Sequence, residues 1–250
     1  MITATGAALI GAAGVLAGIV GTAGGITSLV SYPALLAAGV PALPANMANI
    51  VALVACWPGS ALASRPELVG RAHWLRRWSL VTVAGGVAGA ALLLSTPSQD
   101  FSVVVPYLVA AGSLALILQP AIPALGEHHA ARQKAVLLAG LLWVSLYSGY
   151  FGAGSGIMTL ALLMITVEPH LATANALKNM LVGVATVVAA ITVVAFGHVE
   201  WAAVAPLAVG LFAGSLIGPR LARRLPAAVL RWFAALLGIG LAIRLWLAPA

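Results

Sequence analysis

The sequence predicts an all-α integral membrane protein of two inverted repeats. Three observations lead there: too few charges for a solvated surface, basic residues confined to short clusters, and glycine motifs that recur in order. Hydrophobic residues make up 62% of the 250-residue chain and charged residues 7%, with a mean hydropathy of +1.10. A soluble domain carries about a quarter of its residues as charges, so most of this outer surface must face lipid. The net charge of +7 would suit a nucleic-acid partner only if it formed one face. Instead the basic residues fall in three groups between apolar runs: Arg65, Arg71, Arg76 and Arg77; Arg132 and Lys134; Arg220, Arg223, Arg224 and Arg231. That is the positive-inside pattern of membrane loops, and it argues against nucleic acid. Cys56 is the single cysteine, so no intramolecular disulfide can form. The N-terminus lacks the basic region of a cleaved signal peptide, and the first apolar segment is expected to be retained.

Apolar stretches broken by Gly, Pro or charge give ten segments. In the first half they run at about 4–20, 26–39, 44–63, 75–95 and 102–120. In the second they run at about 134–151, 156–167, 173–196, 201–219 and 228–247. A helix needs about 20 residues to cross the roughly 30 Å hydrocarbon core. The last three segments of each half reach that length, while the first two are expected to be short and joined at glycines. Gly18-Ile-Val-Gly21-Thr-Ala-Gly-Gly25-Ile aligns with Gly149-Tyr-Phe-Gly152-Ala-Gly-Ser-Gly156-Ile at a constant offset. Ala45-Asn46-Met-Ala-Asn49 is echoed by Ala174-Asn175-Ala-Leu-Lys178-Asn179. Matches in the same order at similar spacing imply a duplication: a first repeat over 1–122, a connection over 123–133 and a second repeat over 134–250.

Charge orients the halves. With the three basic clusters inside, 65–74 and 121–133 are inner connections, whereas Asp100 and the 197–200 turn with Glu200 are outer. The first glycine-broken pair then begins and ends outside, and the second begins and ends inside. The repeats are therefore expected to be inverted, each a glycine-broken hairpin plus three transmembrane helices, as in many secondary transporters.

The breaks and the polar residues near them are the candidate site. Glycine lets the backbone leave helical geometry. At membrane depth the exposed N–H groups are tolerable only against protein or a water-filled cavity. The N-terminus of the following half-helix offers N–H donors and a partial positive charge, which suits an anion. The residues assigned here are Thr22, Gly24, Gly25 and Ser28 in the first half, and Gly154, Ser155 and Gly156 in the second. Thr159 adds a hydroxyl nearby. The competing interpretation is that small residues merely permit close helix packing. Asn46 and Asn49 share a helix face, as do Asn175, Lys178 and Asn179. Their amides can donate to an oxyanion and the lysine can balance its charge; alternatively Lys178 snorkels to the headgroups. Glu168 and His170 flank the second pair, where gating or proton coupling is open to them. His73, His128 and His129 are expected to be solvated in loops, and Arg244 to snorkel. Trp57 and Trp143 sit deep enough to line a cavity. No metal-binding cysteine cluster, phosphate-cradling loop or Ser–His–Asp arrangement is evident, so neither a cofactor nor an enzyme activity is expected.

The paired motifs over Gly18–Ser28 and Gly149–Thr159, with Ala45–Ile50 and Ala172–Met180, resemble the TauE/SafE sulfite exporters, also called the TSUP family. The resemblance spans nearly the whole chain. It implies multi-pass permeases of the bacterial or archaeal inner membrane that move sulfite, sulfonates or related organic anions, generally outward. Family members carry small hydroxyl residues before the lysine. Here Ala174-Asn175-Ala176-Leu177-Lys178 keeps the lysine without them, which alters the contacts around an anion. The expected partners are a small anionic substrate and the lipid bilayer, with a coupling proton or sodium ion and a homodimer both open. A passive anion channel and a non-transporting scaffold subunit are the alternatives.

Overall fold

A computed structural model describes residues 4–118 and 130–222, with four single residues beyond them at 236, 239, 240 and 243. The tenth expected segment, 228–247, lies almost wholly outside the described residues. So do Arg223, Arg224, Arg231, Arg244, His128 and His129. The described chain is helical throughout: α1 (Ala4–Gly24), α2 (Thr27–Ala37), α3 (Ala42–Leu53), α4 (Cys56–Ala63), α5 (Arg65–Leu68), α6 (Ala72–Ser95), α7 (Ser98–Leu118), α8 (Ala130–Tyr150), α9 (Ser155–Thr166), α10 (Leu171–Phe196) and α11 (Trp201–Ala222). Among these, α1, α3 continued by α4, α6, α10 and α11 are long and apolar enough to cross a membrane. Helices offer the bilayer a backbone with its polar groups paired internally. Leu80, Leu92, Ile191, Val209 and Phe212 lie exposed on the outside, as lipid contact requires.

Two expectations are corrected. The first helix of each half is not short: α1 and α8 each run 21 residues, about 30 Å. Only α2 and α9 are short, at 11 and 12 residues. Gly21 and Gly24, which the sequence placed in the break, are still part of α1, and the chain turns only at Gly25; the glycines before them lie against α11. A β-carbon at Gly18 would fall 2.5 Å from the Leu211 carbonyl oxygen, and one at Gly14 would fall 2.7 Å from that of Leu207. The third segment is also not continuous. Pro58 has no N–H to offer the carbonyl four residues back, and the chain tightens there. Val54, Ala55 and Trp57 donate three residues back, to Val51, Ala52 and Val54, at 3.3, 3.1 and 3.1 Å. The result is a kink between α3 and α4.

Packing is reciprocal between the halves. Helix α1 lies along α11, and α6 lies along α8, so each half lends its first helix to the other half's fourth. Small residues make both approaches close, as in many membrane bundles. Gly149 of α8 faces the Gly86 carbonyl of α6, as Gly18 of α1 faces Leu211 of α11. Helices α3, α4 and α10 fill the space between.

One end of the bundle is marked by an ion pair. The Arg71 guanidinium, just before α6, donates to Glu168 in the α9–α10 turn at 2.6 Å. The far end of α6, 24 residues on and about 36 Å away, lies near the α10–α11 turn. There a β-carbon at Gly197 would meet Leu94.

Candidate functional site

The site begins where α1 and α8 stop. Past the end of α1, Gly25 turns the chain with φ +83°, and α2 starts at Thr27. Past α8, Gly152 and Gly154 both take φ +78°, and α9 starts at Ser155. Such angles strain any residue with a β-carbon. The two turns meet backbone to backbone: a β-carbon on Gly25 would fall 2.5 Å from the Gly156 carbonyl carbon, and one on Gly156 would fall 2.6 Å from the Gly25 Cα. Neither α2 nor α9 has a side-chain cap on its N-terminus. Their first N–H groups lack intrahelical partners, and their partial positive charge collects at the same place. At 11 and 12 residues, each spans about half the hydrocarbon core.

Helix ends inside apolar surroundings also leave carbonyls without partners. Here the other half supplies the donors. Asn175 and Asn179 of α10 both donate Nδ2 to the Thr22 carbonyl at 3.0 Å, and Lys178 Nζ donates to the Gly21 carbonyl at 3.3 Å. At the end of α8, Asn46 Nδ2 donates to the Tyr150 carbonyl at 2.9 Å. Asn46 and Asn175 hold corresponding positions in the two motifs, and each stitches the broken end of the opposite half. Their Oδ1 atoms are buried without a hydrogen-bond partner. Asn49 aligns with Lys178 but stays within its own half. It donates to Ser28 Oγ at 3.1 Å and accepts from Ser31 Oγ at 2.6 Å.

Between these elements lies a cavity of about 60 Å³. It falls far below the roughly 300–1,000 Å³ of pockets for drug-sized ligands, and so suits a small solute. Of the residues expected at the site, Thr22, Gly25, Ser28, Ser155, Gly156, Lys178 and Asn179 line it. Gly24, Asn46, Asn49, Gly154 and Asn175 do not; they shape and brace the breaks instead. The walls also include Thr27, Cys56, Ser60, Ser148 and Thr186, which the sequence had not singled out. Helical spacing was the available signal: Ser60 lies one turn from Cys56, and Thr186 two turns from Lys178 and Asn179.

Lys178 is 1% exposed, so it does not snorkel. No carboxylate among the described residues lies within ion-pairing distance of it. A buried ammonium without a counter-charge is costly, and this one opens on the cavity.

The other candidates separate cleanly. Trp57 lines the cavity, whereas Trp143 is 69% exposed on the outer face. The expectation for Trp143 is corrected: the face of α8 that carries it points away from the bundle. Glu168 and His170 sit at the end of the bundle, away from the cavity. His170 donates its backbone N–H to Glu168 Oε1 at 3.2 Å, and its Nδ1 lies 2.8 Å from the same oxygen. Burial pushes the Glu168 carboxyl up, but the His170 hydrogen bonds and the Arg71 charge outweigh it, holding the carboxyl below its ordinary value.

Apolar helices packed around a small cavity at two helix breaks define the class, a multi-pass membrane protein. The chain belongs to the sulfite exporter TauE/SafE family, whose profile matches residues 7–245. Its relatives include "Probable membrane transporter protein ORF9" of Sinorhizobium sp, 26% identical over 235 residues, covering 94% of this chain and 90% of that one. "Probable membrane transporter protein YfcA" of Escherichia coli strain K12 is 29% identical over 213 residues, covering 82% of this chain and 77% of that one. No solved structure matches it significantly. The protein is a membrane transporter.

Proposed function

We propose that the chain is a secondary transporter that carries a small oxyanion, such as sulfite or a small sulfonate, outward by alternating access. The observation behind this reading is Lys178, a buried amine facing a small cavity with no acidic partner among the described residues, so that once protonated it lacks a counter-charge. An anion supplies the missing charge. The Ser28 hydroxyl, whose oxygen accepts from Asn49, has a proton to donate, and the N-termini of α2 and α9 add their dipoles from both halves. The choice of sulfite and the outward direction rest on the family's description.

The reciprocal packing of α1 with α11 and α6 with α8, a pattern two inverted repeats would produce, supports alternating access. The basic clusters favour a cytoplasmic Arg71 end, and the bacterial relatives favour an inner membrane. A proton or sodium ion couples the transport, and a homodimer is compatible with the exposed apolar faces.

The test is uptake into proteoliposomes. Wild type should take up sulfite saturably and show counterflow, which a passive pore cannot. Lys178→Gln should lower anion affinity at least about tenfold, the scale of stranding one partner of a buried charge pair. Unchanged affinity in a folded Lys178→Gln protein would remove the cavity from the mechanism.

A further inference from the structure

We propose that Trp57 sets the upper size limit of the transported anion, acting as an apolar lip over the cavity whose indole seats against Gly183. The inference rests on the cavity being the anion site, and it adds what decides which anions fit.

The cavity lining is mixed: Lys178, Asn179, Ser28 and Ser155 are polar, while Ile50, Leu53, Trp57 and Val182 are apolar. An oxyanion head belongs with the first group. Any carbon substituent must lie against the second. Trp57 is the largest side chain in the wall, and it is also 37% exposed. The same indole is therefore both cavity wall and outer surface, which places it at the rim.

Two backbone features let the rim exist. Trp57 stands in the first turn of α4, directly after the kink that Pro58 imposes. Helix α4 packs against α10, and the Trp57 indole reaches that helix. There the position it meets is Gly183. A β-carbon at Gly183 would fall 2.6 Å from Trp57 Cγ and 2.8 Å from its Nε1. The indole fits only because that residue has no side chain. Tryptophan and glycine thus form a matched pair across the cavity mouth, and the 60 Å³ cavity is the space they leave.

The experiment compares uptake of sulfite, methanesulfonate, ethanesulfonate and benzenesulfonate into proteoliposomes by wild type, Trp57→Ala, Trp57→Phe, Gly183→Ala and the Trp57→Ala/Gly183→Ala double variant. Wild type should fall off steeply as the substituent grows. Trp57→Ala should raise the ratio of ethanesulfonate to sulfite uptake by roughly tenfold, the scale on which an apolar pocket resolves one methylene group. Trp57→Phe should shift it in the same direction by less. Gly183→Ala should depress uptake of every anion, and removing the indole in the double variant should restore sulfite uptake.

An unchanged uptake ratio in both folded Trp57 variants overturns the proposal. So does loss of all transport in both, since the indole would then serve transport itself rather than size. If wild type takes up no anion at all, the functional reading fails and the lip fails with it. If wild type takes up sulfite but the ratio does not move, the lip alone fails.

Discussion

Asn46 and Asn175 occupy equivalent places in the two motifs, yet their loss should not be equivalent. The Thr22 carbonyl accepts from Asn179 as well as Asn175, whereas Asn46 is the one side-chain donor to the Tyr150 carbonyl among the described hydrogen bonds. Asn46→Ala therefore strands a buried acceptor, at a cost of about 1–3 kcal/mol, while Asn175→Ala leaves a substitute donor in place. Thermal unfolding in detergent should rank Asn46→Ala clearly below Asn175→Ala. Equal losses would contradict the stitching described for the two ends. The polarity of these residues in apolar runs was legible in the sequence. Their partners were not, because a backbone carbonyl in the opposite half has no signature of its own. For the same reason the asparagines looked like ligands, although Asn46 and Asn175 turn their amides to the breaks without reaching the cavity.

At the level of elements, the N-terminus of α10 is held by Glu168 between Arg71 and His170. A carboxylate there also favours the helix dipole. Its value is depressed in the folded protein, so its stabilising contribution is present at neutral pH and is lost as pH falls through the depressed value. Wild type should unfold at lower temperature on acidification below roughly pH 4. Glu168→Gln should start lower at neutral pH, by roughly 2–4 °C for each kcal/mol lost, and change less with acid. A variant that tracks wild type through the acid range would show that another group governs the response. Element lengths were the least legible feature. Gly21 and Gly24 read as part of the break in the sequence, and only the structure shows that α1 continues through them. The kink before Pro58 was available in principle, since a proline inside a helical run marks one.

Across the whole molecule, the Arg71–Glu168 pair gathers the 64–71 and 167–170 turns at one end, and the 96–97 and 197–200 turns lie together at the other. Single cysteines placed at 67 and 98, after Cys56 is replaced, should therefore label with a membrane-impermeant reagent from opposite sides. Labelling from one side would refute the arrangement of helices proposed for the membrane. The helical membrane class was legible from composition, because lipid tolerates so few charges that seven per cent leaves no other solution. The ordered motifs suggested a duplication. The exchange of α1 and α8 between halves was not, since similar small-residue stripes on several helices give no rule for which pair will meet.

The contact between Gly25 and Gly156 has a consequence for how the sequence can drift. Most tight contacts involve at least one side chain, so an enlarged residue on one side can be answered by a trimmed one on the other. Here the colliding atoms belong to two main chains, and there is nothing left to trim. The two positions, over a hundred residues apart, are locked to the same letter of the alphabet. Neither half can enlarge its residue at this point without the other half's backbone giving way.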